Sequence, residues 1–114
     1  MEKTERPWGH YIILEDTETH KVKRIVVNPG QKISLQKHQK RSEIWVVVAG
    51  TGNVHVNGND WEVKTGNTVI VPVGFMHRIE NIGKNNLEFV EVQTGTYFGE
   101  DDIQRFDDIY GRVK

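Results

Sequence analysis

The stretch GQKISLQKHQKRSEIWVVVAG, Gly30 to Gly50, decides how this chain folds. Its first part alternates. Ile33 and Leu35 fall on one face of an extended strand, and Ser34, Gln36 and His38 on the other, because successive strand side chains leave opposite faces. Gln39-Lys40-Arg41-Ser42 is polar and able to turn the chain back. Ile44 to Val48 is continuously apolar and rich in β-branched residues, as in a central strand, and Gly50-Thr51-Gly52 ends it. The polar face bearing Gln36 and His38 has to meet water or line a polar cavity. Glu43 opens the apolar strand, where a buried carboxylate needs a cation or a hydrogen-bond partner.

The same rhythm extends in both directions. Upstream, Tyr11 to Leu14 and Val22 to Val27 are apolar segments, the second closed by the breaker Asn28-Pro29-Gly30. Downstream, Val54 and Val56 alternate with Asn53 and His55, and Asn57-Gly58 is a strong two-residue hairpin signal. Trp61 and Val63 begin the return. Val69 to Val71 runs into Pro72-Val73-Gly74, Met76 to Glu80 follows, and Leu87 to Gln93 alternates after a turn at Asn81 to Asn86. Many short strands between turn residues predict an all-β sandwich or barrel. Beyond Gly99 the pattern changes. Ile103, Phe106 and Ile109, spaced i, i+3, i+6 behind Glu100-Asp101-Asp102, predict one short C-terminal helix with an acidic N-terminus. Trp8-Gly9 and Tyr110-Gly111 predict ends that pack on the body. Residues 1–114 show no linker or repeat and read as one domain.

Composition narrows the function classes. A chain of 114 residues with 36% hydrophobic residues fits one domain, and its three tryptophans help to fill a core. The 15 basic and 16 acidic side chains nearly cancel, so no nucleic-acid-binding patch is implied. The absence of cysteine excludes disulfides and Cys-type zinc sites. The longest apolar run, Ile44 to Ala49, is too short to span a bilayer. Met1 to Arg6 is charged and lacks an apolar signal core. The expectation is a soluble, cytoplasmic protein with no membrane or nucleic-acid partner.

Five histidines are available. His10, His20 and His55 have no potential ligand partner at strand spacing and read as structural. His38 shares a strand face with Gln36 and precedes Glu43, and His77 follows a Pro/Gly turn between two apolar segments. Gln36, His38, Glu43 and His77 together offer two imidazoles and two oxygens. That set suits one borderline divalent ion and leaves coordination positions for water or substrate. Spacing does not choose the metal.

Gly30-x5-Gln36-x-His38-x4-Glu43-x6-Gly50 resembles the first cupin motif, with Gln36 where many cupins have a histidine. Gly66-x5-Pro72-x-Gly74-x2-His77-x3-Asn81 resembles the second at every fixed position. The likeness is narrower still. RPWGHY (6–11), SLQKHQKRSEIWVVVAGTG (34–52), PVGFMHRIEN (72–81) and EVQTGTYFGEDDIQRFDDIYGR (91–112) resemble the isomerase domain of type II phosphomannose isomerases. The resemblance implies a cupin fold, a double-stranded β-helix or jelly-roll barrel. It implies a metal held by Gln36, His38, Glu43 and His77, with zinc first and manganese, cobalt, iron or nickel as alternatives. It further implies interconversion of mannose 6-phosphate and fructose 6-phosphate through an enediol.

In that family the domain is usually the C-terminal part of a bifunctional enzyme whose other part is a mannose-1-phosphate guanylyltransferase. No such part is in this sequence, so GDP-mannose synthesis is not expected of it. Ile44 stands where the family commonly has histidine. Being adjacent to Glu43 on a strand, it should point away from the metal. Arg41 is the candidate catalytic contact, Arg105 and Lys32 the candidate substrate contacts, and no base is identified. A sugar phosphate as small-molecule partner and a homodimer complete the expectation. Two alternatives compete: a non-catalytic cupin binding a sugar phosphate or sugar nucleotide, and a metal-dependent oxygenase, against which Gln36 in place of a histidine argues.

Overall fold

Turn chemistry and strand alternation give eleven strands in the computed structural model, which describes residues 2–111. They are β1 (Lys3–Arg6), β2 (Gly9–Asp16), β3 (His20–Val27), β4 (Leu35–Lys37), β5 (Arg41–Ala49), β6 (Thr51–Val56), β7 (Asn59–Lys64), β8 (Thr68–Val71), β9 (His77–Asn81), β10 (Leu87–Gly95) and β11 (Gln104–Asp107). One sheet has the order β1-β2-β3-β10-β5-β8 and the other β11-β4-β9-β6-β7. From β3 onward the chain crosses repeatedly between the sheets, which winds them into a double-stranded helix. Trp45, Val47, Val54, Ile79, Leu87 and Phe89 are fully buried in the core. The expected packing of the ends is present: Trp8 is buried, and the Tyr110 hydroxyl donates to Gln31.

Two turns set the register. Asn57 and Gly58 both have positive φ, 49° and 92°, the pairing that a type I′ turn needs, and they join β6 to β7. At Pro72-Val73-Gly74 the glycine has φ 82°, and its N–H donates to the His38 carbonyl at 2.9 Å. That bond ties the loop before β9 to the end of β4. It brings the two motif segments together although they are far apart in sequence.

The predicted C-terminal helix is absent. Residues 104–107 form a strand antiparallel to β4. Two features override the helical spacing. The Asp102 carboxylate accepts the Gln39 and Lys40 amides, both at 3.0 Å, so it is committed to the β4–β5 loop and is not capping a helix. The outer edge of β4 also needs a hydrogen-bonding partner, which the tail supplies. Of the three apolar residues in the pattern, Phe106 and Ile109 stay exposed, and Ile103 faces the cavity described below.

The first strand face departs from its pattern too. Alternation holds from Ser34 onward, but Ile33 is also buried and reaches the same cavity as Gln36. The residues before β4 are not a continuous strand; they meet β9 at the isolated Lys32–Glu80 bridge and through the Gly30 N–H on the Asn81 carbonyl.

Candidate metal centre

A cavity opens between the sheets, with about 580 Å³ of space between its walls, part of it continuous with solvent. Gln36 from β4, Glu43 from β5 and His77 from β9 line it. His38 stands beside them, 3.2 Å from Glu43, at the end of β4. The register explains the convergence. Gln36 pairs with His77 across β4 and β9, and the Gly74–His38 bond fixes the loop that delivers His77. One ligand atom each from His38, Glu43 and His77 lies within 4.8 Å of the others, and all three residues are buried.

The protonation pattern fits a cation. His38 Nδ1 meets the Asp102 carbonyl, and His77 Nδ1 meets the Phe75 carbonyl at 3.0 Å. A carbonyl only accepts, so in each ring Nδ1 carries a proton, and in the neutral ring Nε2 keeps its lone pair. Both Nε2 atoms face Glu43, at 3.2 and 3.7 Å. Burial pushes the His38 imidazolium pKa down to about 4, against the pull of Glu43, so the ring is neutral near pH 7. Burial alone would raise the Glu43 carboxyl, but His77, His38 and Arg41 hold it well below the usual carboxylate range. Two lone pairs and a carboxylate aimed at one point are the donors a divalent ion requires. The Gln36 side-chain N–H donates to the Ser34 hydroxyl at 3.1 Å, so its amide oxygen is not used in that bond.

The cavity wall carries more chemistry. Arg41 is buried, and its Nε and Nη2 both reach Glu43 at 2.9 Å, while Nη2 also donates toward His38 Nε2 at 3.2 Å. Its Nη1 is buried with no hydrogen-bond partner among the described residues. Arg105, opposite Gln36 in β11, lines the cavity. Lys32 does not reach it. It lies in a separate groove with Leu35, His55 and Arg78, on the other face of the second sheet. Ile44 is 42% exposed, so it points away from the His38–Glu43–His77 cluster, as its place beside Glu43 requires. His20 and His55 make surface pairs with Glu15 and Asp60.

Sequence reading missed Glu91, Arg6, Lys23 and Glu100, all of which line the cavity. Glu91 is the most deeply placed. Trp45 Nε1–H is shared between Glu43 at 3.0 Å and Glu91 at 3.2 Å, and Gln93 donates to the other Glu91 oxygen. Burial first, then the nearby Glu43 charge, push the Glu91 carboxyl up to about 8. One signal was available. Leu87, Phe89, Glu91 and Gln93 share the inward face of β10, and a carboxylate in line with Phe89 has to face something polar.

An antiparallel double-stranded helix with a buried two-histidine, one-carboxylate cluster in its barrel defines a cupin. The cupin domain of Schizosaccharomyces pombe Cnp3 superposes with a TM-score of 0.73 at 20% identity, covering 75% of this chain and 64% of that one. The family described as Mannose-6-phosphate isomerase C-terminal matches residues 1–108, and the chain belongs to it. Mannose-1-phosphate guanylyltransferase ManC of Salmonella typhimurium is 46% identical over 108 residues, which are 95% of this chain and 22% of that protein. Xanthan biosynthesis protein XanB of Xanthomonas campestris is 48% identical over 112 residues, 97% of this chain and 24% of that protein. The chain thus spans about a quarter of the length of these relatives. Among the described residues no helix is long and apolar enough to cross a membrane.

Proposed function

We propose that this chain is a metal-dependent aldose–ketose isomerase domain acting on mannose 6-phosphate and fructose 6-phosphate. The observation that carries the reading is the His38–Glu43–His77 cluster, whose lone pairs and carboxylate converge beside a cavity with arginines in its wall. Membership of the family supports the substrate class. His38, Glu43 and His77, with the Gln36 amide oxygen, would hold the ion, zinc first among the candidates. Bound there, a divalent ion supplies a Lewis acid for the carbonyl oxygen of an open-chain sugar.

The remaining roles fall to the chain's own residues. Arg41 Nη1, buried without a partner, is placed to donate to the oxygen that gains charge as the enediol forms. Three carboxylates line the cavity: Glu43 is taken by the metal cluster and Glu100 by a lysine. Glu91 is left to carry the proton between the adjacent carbons, held in place by Trp45 and Gln93. Arg105 orients the substrate from β11. The reading extends to a homodimer, for which a monomer by light scattering across micromolar concentrations is the contrary result.

The test is turnover. Protein stripped by chelator and resupplied singly with zinc, cobalt or manganese is expected to convert mannose 6-phosphate to fructose 6-phosphate, and His77→Ala is expected to abolish it. One observation favours a second reading, a sugar-phosphate-binding cupin without turnover: Arg41 already places a cation between His38 and Glu43. Calorimetric titration separates the two. Absence of tight metal binding with sugar-phosphate binding intact selects the second.

A further inference from the structure

The inward face of β3 holds an unusual pair. Lys21 and Lys23 are 6% and 4% exposed, although lysine is rarely buried unless it is paired. Both ammonium groups converge on one oxygen of Glu100, at 3.6 and 2.7 Å. Lys23 also lies over the Tyr11 ring, 4.1 Å from its centroid, and Arg6 lies over the same ring at 5.2 Å. Arg6 donates to the Tyr11 hydroxyl at 3.3 Å and makes no ion pair among the described residues. Two buried lysines therefore share one carboxylate, and Arg6 lies on the Tyr11 ring beside them. Glu100 itself is half exposed, on a turn, with room to swing into solvent.

The placement gives this cluster a use. Arg6, Lys23 and Glu100 line the same cavity as Gln36, Glu43 and His77. Two like charges buried side by side are costly unless an anion is held there. With Glu100 swung out, the two lysines carry two positive charges, which match the charge of a phosphate monoester near neutral pH. A phosphate also brings three acceptor oxygens, against the single Glu100 oxygen that both lysines now share.

We propose that Arg6, Lys21 and Lys23 form the seat for the phosphate group of a sugar phosphate, and that the Glu100 carboxylate occupies this seat until the phosphate displaces it. The inference rests on the sugar-phosphate reading above and deepens it. It gives the phosphate to β1 and β3 and leaves Arg41 to the reacting end.

Titration of the metal-stripped full chain with inorganic phosphate, by calorimetry at low salt, reads the seat without turnover. Lys23→Met is expected to weaken binding about tenfold or more, the worth of a charge-assisted bond, and Lys23→Arg to restore most of it. Glu100→Gln, on the exposed side, is expected to tighten binding by a similar factor. It keeps the test alive if Lys23→Met fails to fold. Phosphate binding indifferent to both positions overturns the seat, and weaker binding in Glu100→Gln overturns the displacement. Turnover assays keep the two ideas apart. Wild-type turnover together with Lys23-independent phosphate binding sinks the seat and leaves the isomerase standing. Lys23-dependent phosphate binding without turnover under any metal does the reverse.

Discussion

β5 and β10 lie side by side in one sheet, and their inward face divides into two regions. At one end Val47 pairs with Phe89 and both are core. At the other end Trp45 pairs with Glu91, Glu43 with Gln93 and Arg41 with Gly95. Burial barely changes along the face: Phe89 is 0% exposed and Glu43 2%. Chemistry changes completely. The apolar end gains stability from removing carbon from water. The polar end buries two carboxylates and a guanidinium, which cost stability unless they are paired. The difference teaches that an inward position in this barrel does not specify an apolar residue. It specifies a residue whose partners lie inside, and at the polar end those partners are one another.

The sharpest way to break this division is Glu91→Gln. The change keeps shape and burial but removes proton transfer. Turnover in the metal-loaded chain is expected to fall about 10²–10⁴-fold, the range for a general acid–base residue, while metal affinity measured by titration stays within a few-fold. Equal loss of both would place Glu91 with the ligands. At the apolar end, Phe89→Ala should cost about 3–5 kcal/mol by urea unfolding, without a specific effect on metal affinity in the fraction that remains folded. Backbone crowding predicts another loss where the sheet reaches the site. Gly95 has φ 147°, and a Cβ there would sit 2.2 Å from the Lys40 carbonyl oxygen, so Gly95→Ala should lower the melting temperature and disturb the β4–β5 loop.

The smallest effect expected is that of pH on the metal-free chain. Glu91 takes up its proton near 8 when folded and near the ordinary carboxyl value when unfolded. The folded state therefore binds more protons between the two, and stability falls as pH rises from about 6.5 to 8. His38 has the opposite sign: folding lowers it from 6.5 to about 4, so its contribution is lost as pH falls through that window. The two slopes offset each other between about pH 4.5 and 6.5. Melting temperatures should be flat there, fall on the alkaline side, and fall again below pH 4.5, where the unfolded chain protonates Glu43 and the folded chain does not. Glu91→Gln should remove the alkaline slope and uncover that of His38, so that the melting temperature rises with pH between about 4.5 and 6.5.

The same contrast explains what could be read from sequence. Apolar alternation and turn residues made the double-sheet fold legible, and motif spacing made Gln36, His38, Glu43 and His77 legible, because these follow local rules. β3 shows the limit. In Lys21-Val22-Lys23-Arg24-Ile25 a pattern reader sends Val22 inward and the lysines out. The structure does the reverse, burying Lys21 and Lys23 in line with Ile25 and Val27. Their burial depends on Glu100, more than seventy residues later. Strand β11 was hidden for a similar reason. Its pairing compensates an open edge of β4, and nothing within residues 100–109 announces that edge.

The Asp102 carbonyl that holds the His38 ring lies 64 residues beyond it in the chain. Seen in the time order of synthesis, every side chain of the cluster leaves the ribosome well before the group that sets the His38 tautomer. A nascent chain with Gln36, His38, Glu43 and His77 already exposed still lacks the acceptor that turns Nε2 toward its neighbours. The finished geometry of the His38–Glu43–His77 cluster therefore waits on the docking of strand β11.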